Sequence, residues 1–238
     1  MTPETHQVSY GPHLFEFRLT RRARKTMSIS VTPSLTVDVV APLDAPFEQV
    51  CEKVRKRAPW IRKQLQFFQQ FQPRTPERRF VAGETHLYLG RQYKLKVVPH
   101  VQQRVKLYRG RLVVQTHNPH DDKFTRELVE NWYRERAHAK FRERLVLCQQ
   151  LFPDPQDFKP SGLVIRQLSQ RWGSMTPGGK LILHRSLVSG AVDCIDYVIT
   201  HELCHLKHAN HGPAFYALLN RIMPDWERRK LKLERQLS

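Results

Sequence analysis

The segment His201-Glu202-Leu203-Cys204-His205, with His211 further on, sets three imidazoles and one carboxylate at a spacing suited to metal chemistry. On a helix, residues four apart lie one turn from each other on the same face. His201 and His205 can therefore aim at one ion at zinc–nitrogen distances of about 2.0–2.1 Å. Glu202 is rotated roughly 100° from His201, too far round to share the ion as a ligand but near enough to touch a water on it. His211 can join only if the chain leaves the helix and folds back. Three protein ligands leave a tetrahedral ion one position for water, as in a catalytic rather than a structural site. The bland alternative is a His-rich polar helix face. The spacing predicts one Zn2+ per chain on His201, His205 and His211, with Glu202 as general base in hydrolysis by a metal-held water.

Such a reaction also needs a donor for the developing oxyanion. By position the candidates are His184, Tyr197 and Arg171, each with an ordinary structural role as its alternative. His208 would compete with His211 for one coordination position, and a helix cannot aim 201, 205 and 208 equally at one ion. Cys204 is read as a core thiol. Metal-bound histidines usually donate their second N–H to an acceptor; Asp193, Asp196 and Asp225 are all near in sequence, and the choice among them stays open.

The elements that must position these groups are partly legible. Ile195, Val198, Ile199 and Leu206 recur at helical spacing around the motif. Asn210-His211-Gly212-Pro213 reads as a helix end and a turn, with Pro213 opening a new helix. Upstream, Leu163–Leu168 and Lys180–Leu187 look like strands flanking Trp172-Gly173-Ser174, and Trp172 and Gly173 read as packing and turn residues. Lys123–Leu151 and Asp225–Leu237 read as helices. In the first half, Leu14–Leu19, Met27–Val31 and Leu35–Val40 alternate as half-buried strands do. Phe47–Phe71 reads as a helix that Pro59 should bend or restart. Further strands follow at His86–Leu89, Tyr93–Val98, Arg104–Leu107 and Leu112–Gln115. No internal repeat is visible.

These elements give an α+β fold: a strand-rich N-terminal region, residues 1–120 with one helix at about 46–71, then a zincin-like helix–sheet–HExxH-helix catalytic domain over 121–238. The edge of the catalytic domain's sheet, which supports the HExxH helix, would suit an extended peptide. No apolar run approaches a membrane span, nothing near Met1 resembles an export signal, and the four cysteines form no CxxC pair. Reduced thiols in a cytoplasm are the expectation. The net charge of +18 is concentrated in residues 1–120, with clusters at Arg21–Lys25, at Lys53–Lys63 and around Arg74, Arg78 and Arg79. That field suits polyanions, so nucleic acid enters as a candidate partner although no nucleic-acid motif is legible.

Several of these segments together resemble the YgjP-like metallopeptidase family, which is related to the SprT-like and WLM zinc peptidases. They are Arg171-Trp172-Gly173-Ser174, Leu181–Leu187, Asp196–His205 and Asn210–Phe215. Phe80–Glu84, Tyr88–Tyr93 and Arg24–Ser28 are similar to it as well. The resemblance implies a zinc-dependent, proteolytic hydrolase with His201, His205 and His211 as ligands and Glu202 as base. Relatives that act on proteins near DNA would give the basic surface a purpose, by analogy only. One departure is His184, where the family often has Asn. Two other readings stay open: a basic nucleic-acid-binding protein with a structural or vestigial metal site, and a metal-dependent amide hydrolase acting on non-protein substrates.

Overall fold

Phe15, Phe17 and Leu19 are buried while Leu14, Glu16 and Arg18 face solvent, so the period-two pattern makes a strand, as the sequence implied. The chain is described here by a computed structural model covering residues 3–72, 78–168 and 171–237; Arg74 lies outside them. The first sheet begins with a strand that the pattern did not announce, β1 (Glu4–Tyr10), followed by β2 (His13–Arg22), β3 (Ser28–Val31) and β4 (Val37–Pro42). Their order is β1-β2-β4-β3, with β2 and β4 parallel. Helix α1 (Phe47–Gln69) buries Val50, Val54, Ala58 and Ile61 in the same core. Pro59, expected to bend or restart it, lies inside one continuous helix. It is solvent-exposed, so the carbonyl left without an intrahelical donor can bond to water.

A second sheet has the same plan. Strands β5 (Thr85–Tyr88), β6 (Arg91–Pro99), β7 (Arg104–Tyr108) and β8 (Arg111–Thr116) run in the order β5-β6-β8-β7, with β6 and β8 parallel. Helix α2 (Asp122–Gln149) follows, capped by the Asp121 carboxylate, which accepts from the Phe124 N–H at 2.9 Å. Leu112, Val114 and Thr116 repeat the buried positions Val37, Val39 and Ala41 at one constant offset in sequence. The same offset relates the helix caps Pro46 and Asp121 and the buried pairs Val50/Thr125 and Val54/Val129. The fold thus contains a repeat that the sequence hides. Burial periodicity and strand pairing are shared, while the residue types are not.

The chain divides into two compact units, Met1–Thr75 and Pro76–Leu237. The second sheet therefore groups with the HExxH segment, whereas the sequence reading placed it in residues 1–120. Two local devices hold it there. Val129 and Trp132 of α2 pack with Leu95, Leu112 and Val114. The β5–β6 turn docks on the segment before the HExxH helix: Leu89 N–H donates to the Val188 carbonyl and Gly90 N–H to that of Ser189, both at 3.0 Å. Gly90 has φ +77°, and a Cβ there would sit 2.8 Å from Ala191 Cα, so only glycine fits the approach.

A three-stranded sheet comes next, from β9 (Gly162–Arg166), β10 (Gly173–Met175) and β11 (Lys180–His184), in the order β10-β11-β9. β10 is an edge strand where sequence suggested only a turn. β11 stops at His184 rather than Leu187, because Arg185–Ser189 winds into a 3-10 segment. Helices α3 (Val192–Cys204), α4 (Pro213–Ile222) and α5 (Trp226–Leu237) complete the chain. Among the described residues, no helix is long and apolar enough to cross a membrane.

Candidate metal centre

Ile195, Ile199 and Leu203 of α3 are fully buried in the core that also takes Phe141 of α2 and Leu181 and Leu183 of β11. That stripe fixes the rotation of α3 and turns His201 and Glu202 toward the edge strand. A second constraint holds its position: Arg144 of α2 donates to both Asp196 carboxylate oxygens, at 2.7 and 2.8 Å. The bidentate geometry sets direction as well as distance. At the other end, Lys232 of α5 reaches the Asp193 carboxylate at 2.8 and 2.9 Å.

His201 lies in the last turn of α3, and His205 is its C-terminal cap. The chain then turns through residues 206–211 and enters α4 at Gly212-Pro213, with the Gly212 N–H donating to the Asn210 carbonyl at 2.8 Å. This return brings His211 back: its Nε2 lies 2.9 Å from His201 Nε2. One ring nitrogen from each of His201, His205 and His211 lies within 4.8 Å of the others. Phe215, fully buried on α4, packs against all three rings at 4.7–4.9 Å. It appeared in the sequence only as one apolar residue of a helix; its position inside the cluster follows from the turn geometry. His208 is not part of this cluster.

The electrostatics suit a cation. Burial, reinforced by His211, His205 and Lys230, drives the His201 imidazolium pKa down to about 3. His211 is lowered by burial and then by His205 and Lys230. These two rings are therefore neutral donors at neutral pH. His205 Nδ1 lies 2.9 Å from the backbone carbonyl of His208. A carbonyl only accepts, so Nδ1 carries the proton and Nε2 keeps the lone pair. This acceptor replaces the three aspartates considered from sequence, which pair with Lys232, Arg144 and Arg228/Arg229 respectively. His201 Nδ1 is buried without a hydrogen-bond partner among the described residues. The donor set thus fits a borderline-soft divalent ion such as zinc.

Glu202 is buried, and desolvation pushes its carboxyl up to about 7 against the opposing pull of the Met175 N–H and Arg171. The sheet explains that N–H. His184 N–H bonds to the Trp172 carbonyl and Thr176 N–H to that of Lys180. By antiparallel alternation Ser174 also faces β11, while Gly173 and Met175 point their amides outward. The Met175 amide, turned away from β11, favours the charged form of Glu202. Gly173 supplies the room: a Cβ there would lie 2.8 Å from Glu202 Cγ, 2.9 Å from Val198 Cγ1 and 3.0 Å from Glu202 Oε1. Sequence reading took Gly173 for a turn residue; the close approach was not legible, because it depends on how α3 crosses β10.

A cleft of about 570 Å³ opens over these groups, lined by His201, Glu202, His205 and His211, by residues 173–177 of the edge strand and its turn, and by Arg171 at the rim. The three oxyanion candidates separate here. Arg171 reaches the cleft and donates to Ser174 Oγ at 3.2 Å. Tyr197, one turn before His201, stacks on Trp226 and walls a smaller adjoining pocket of about 150 Å³. His184 lines neither; its Nδ1 accepts the Ser186 N–H at 3.1 Å and caps the 3-10 segment. That bond turns the His184 ring toward the Trp172 indole, 5.3 Å away, and off the cleft. All four cysteines are free and buried. Burial raises the Cys204 thiol to about 12, as befits a core residue.

The family model described as YgjP-like, metallopeptidase domain matches residues 25–236. No curated protein matches the chain.

Proposed function

We propose that this chain, which belongs to the YgjP-like metallopeptidase family, is a zinc-dependent peptidase with a zincin-like core and Glu202 as its general base. The observation that carries this reading is the convergence of three imidazoles beside a buried carboxylate in one open cleft. His201, His205 and His211 would hold the ion. When bound, zinc supplies a Lewis acid and lowers the pKa of a coordinated water to about 7.

The remaining work falls to the protein. Glu202, seated against Gly173, takes the proton released as water attacks the scissile carbonyl, then returns it to the leaving amine. A carboxyl group beside the reacting water can do both. Arg171 is the candidate within reach of the cleft to meet negative charge on the carbonyl oxygen. The outward Gly173 N–H and C=O and the Met175 C=O give an extended peptide backbone groups to pair with along β10. A carbonyl ordered by that pairing and by Arg171 needs little further reorientation to react.

The test is metal analysis of protein purified without added zinc, coupled to cleavage of casein and unstructured peptides. About one zinc per chain with chelator-sensitive cleavage is expected. Stoichiometric zinc with no cleavage of any peptide would move the site to non-peptide amides or to a structural role.

A further inference from the structure

Between Glu84 and Asp121 the chain has no acidic residue, yet it carries Arg91, Lys94, Lys96, Arg104, Lys106, Arg109 and Arg111. The second sheet arranges these cations. Leu95, Leu112 and Val114 face α2, with Val97, Val105 and Leu107 packed beside them, so alternation sends their neighbours to the opposite face. Strand register then builds rows across that outer face. Lys94 stands beside Arg111 and Arg111 beside Tyr108; Lys96 stands beside Val113 and Val113 beside Lys106; Gln115 stands beside Arg104. Lys94, Lys96, Arg104 and Arg111 are exposed, and Lys106 is half-buried. No ion pair among the described residues involves any of them. Tyr108 is 53% exposed at the end of one row, with Lys106 and Arg109 5.7 and 5.2 Å from its ring centre.

Lys94 and Arg111 set like charges side by side on adjacent strands, which is unfavourable, and the other cations of this face likewise have no ion-pair partner among the described residues. We propose that the outer face of the β5–β8 sheet binds single-stranded nucleic acid, with the rows of Lys and Arg on the phosphates and Tyr108 against a base. The cation rows repeat every second residue, about 6.6–6.8 Å along a strand, which suits a polymer with regularly repeated charge. An exposed aromatic among cations is the platform on which bases stack, whatever their identity. An acidic peptide would use the lysines but leave the Tyr108 ring without a partner. The proposal is independent of the metal centre and of peptidase activity.

The test uses the full-length chain and a fluorescein-labelled oligothymidylate in anisotropy titrations at about 50 and about 200 mM salt. The variant Lys94→Gln/Lys96→Gln/Lys106→Gln is expected to bind at least about tenfold more weakly at the lower salt, with the log–log salt slope reduced by about 2, at roughly 0.7 per lost phosphate contact. Arg104→Gln/Arg111→Gln, on the same face, should act in the same direction. Tyr108→Ala should cost about fivefold or more with the slope unchanged. The control variant Lys53→Gln/Lys56→Gln/Arg57→Gln, which removes equal charge from exposed positions of α1, should do far less. Absence of binding at the lower salt, equal losses in the sheet and α1 variants, or equal displacement by polyglutamate would overturn the proposal.

Discussion

Glu202 and Gly173 are packed so closely that a methyl group on the glycine would stand 2.8 Å from Glu202 Cγ. The carboxylate therefore owes its position to a missing side chain. Gly173→Ala should push Glu202 aside while leaving the three imidazoles in place. A displacement of about 1 Å near the chemistry can cost on the order of 10²-fold in rate. Peptide cleavage and zinc content measured together check this: kcat should fall with about one zinc retained. Unchanged kcat would show that the position of Glu202 does not matter.

Glu202→Gln removes the proton carrier but no metal donor. It should keep zinc and lose at least about 10²-fold in hydrolysis, in line with the usual worth of general acid–base catalysis. His201→Ala and His211→Ala should each lose zinc, measured by atomic absorption after gel filtration. A His211→Ala protein that retained stoichiometric zinc would remove His211 from the ligand set.

Arg144→Met should leave the Asp196 carboxylate mostly buried with no cation beside it. Removing one partner of a buried pair costs about 3 kcal/mol or somewhat less at a partly exposed site. Urea denaturation of Arg144→Met, Asp196→Asn and the double variant gives the coupling directly. Additive losses would mean that the pair does not anchor α3 to α2.

His86 offers a pH signature away from the metal centre. Its ring is 1% exposed, and burial, aided by Arg78, lowers its pKa to about 4 despite Glu84 Oε2 lying 3.2 Å away. A folded pKa below the unfolded value of 6.5 means that the unfolded chain binds the extra proton first. The neutral ring thus contributes full stability above pH 6.5, which is lost as pH falls toward 4. The loss is on the order of 1 kcal/mol per pH unit. Urea midpoints of the wild type and His86→Phe across this window should differ in slope by about one proton. Parallel slopes would contradict a neutral buried His86.

Part of the candidate metal centre was legible in the sequence because helical spacing is a local property. Four residues of separation on a helix determine which side chains share a face, so His201, Glu202 and His205 took their relative places before any fold was known. The strands were legible for a similar reason, as in Phe15-Glu16-Phe17-Arg18-Leu19, where alternation is itself the signal. What spacing cannot encode is which element a given face meets. The approach of Gly173 to Glu202, the diversion of His184 into a cap, the carbonyl of His208 as the partner of His205, and the grouping of the second sheet with the HExxH helix all arise between segments distant in sequence or from the path of a turn. The repeat was hidden likewise, because strand pairing and burial recur there without recurring residue types. The sequence by itself determined which candidate donors share one turn of one helix. Only tertiary packing decided how those donors are held, since contacts between elements depend on crossing geometry that no local pattern carries.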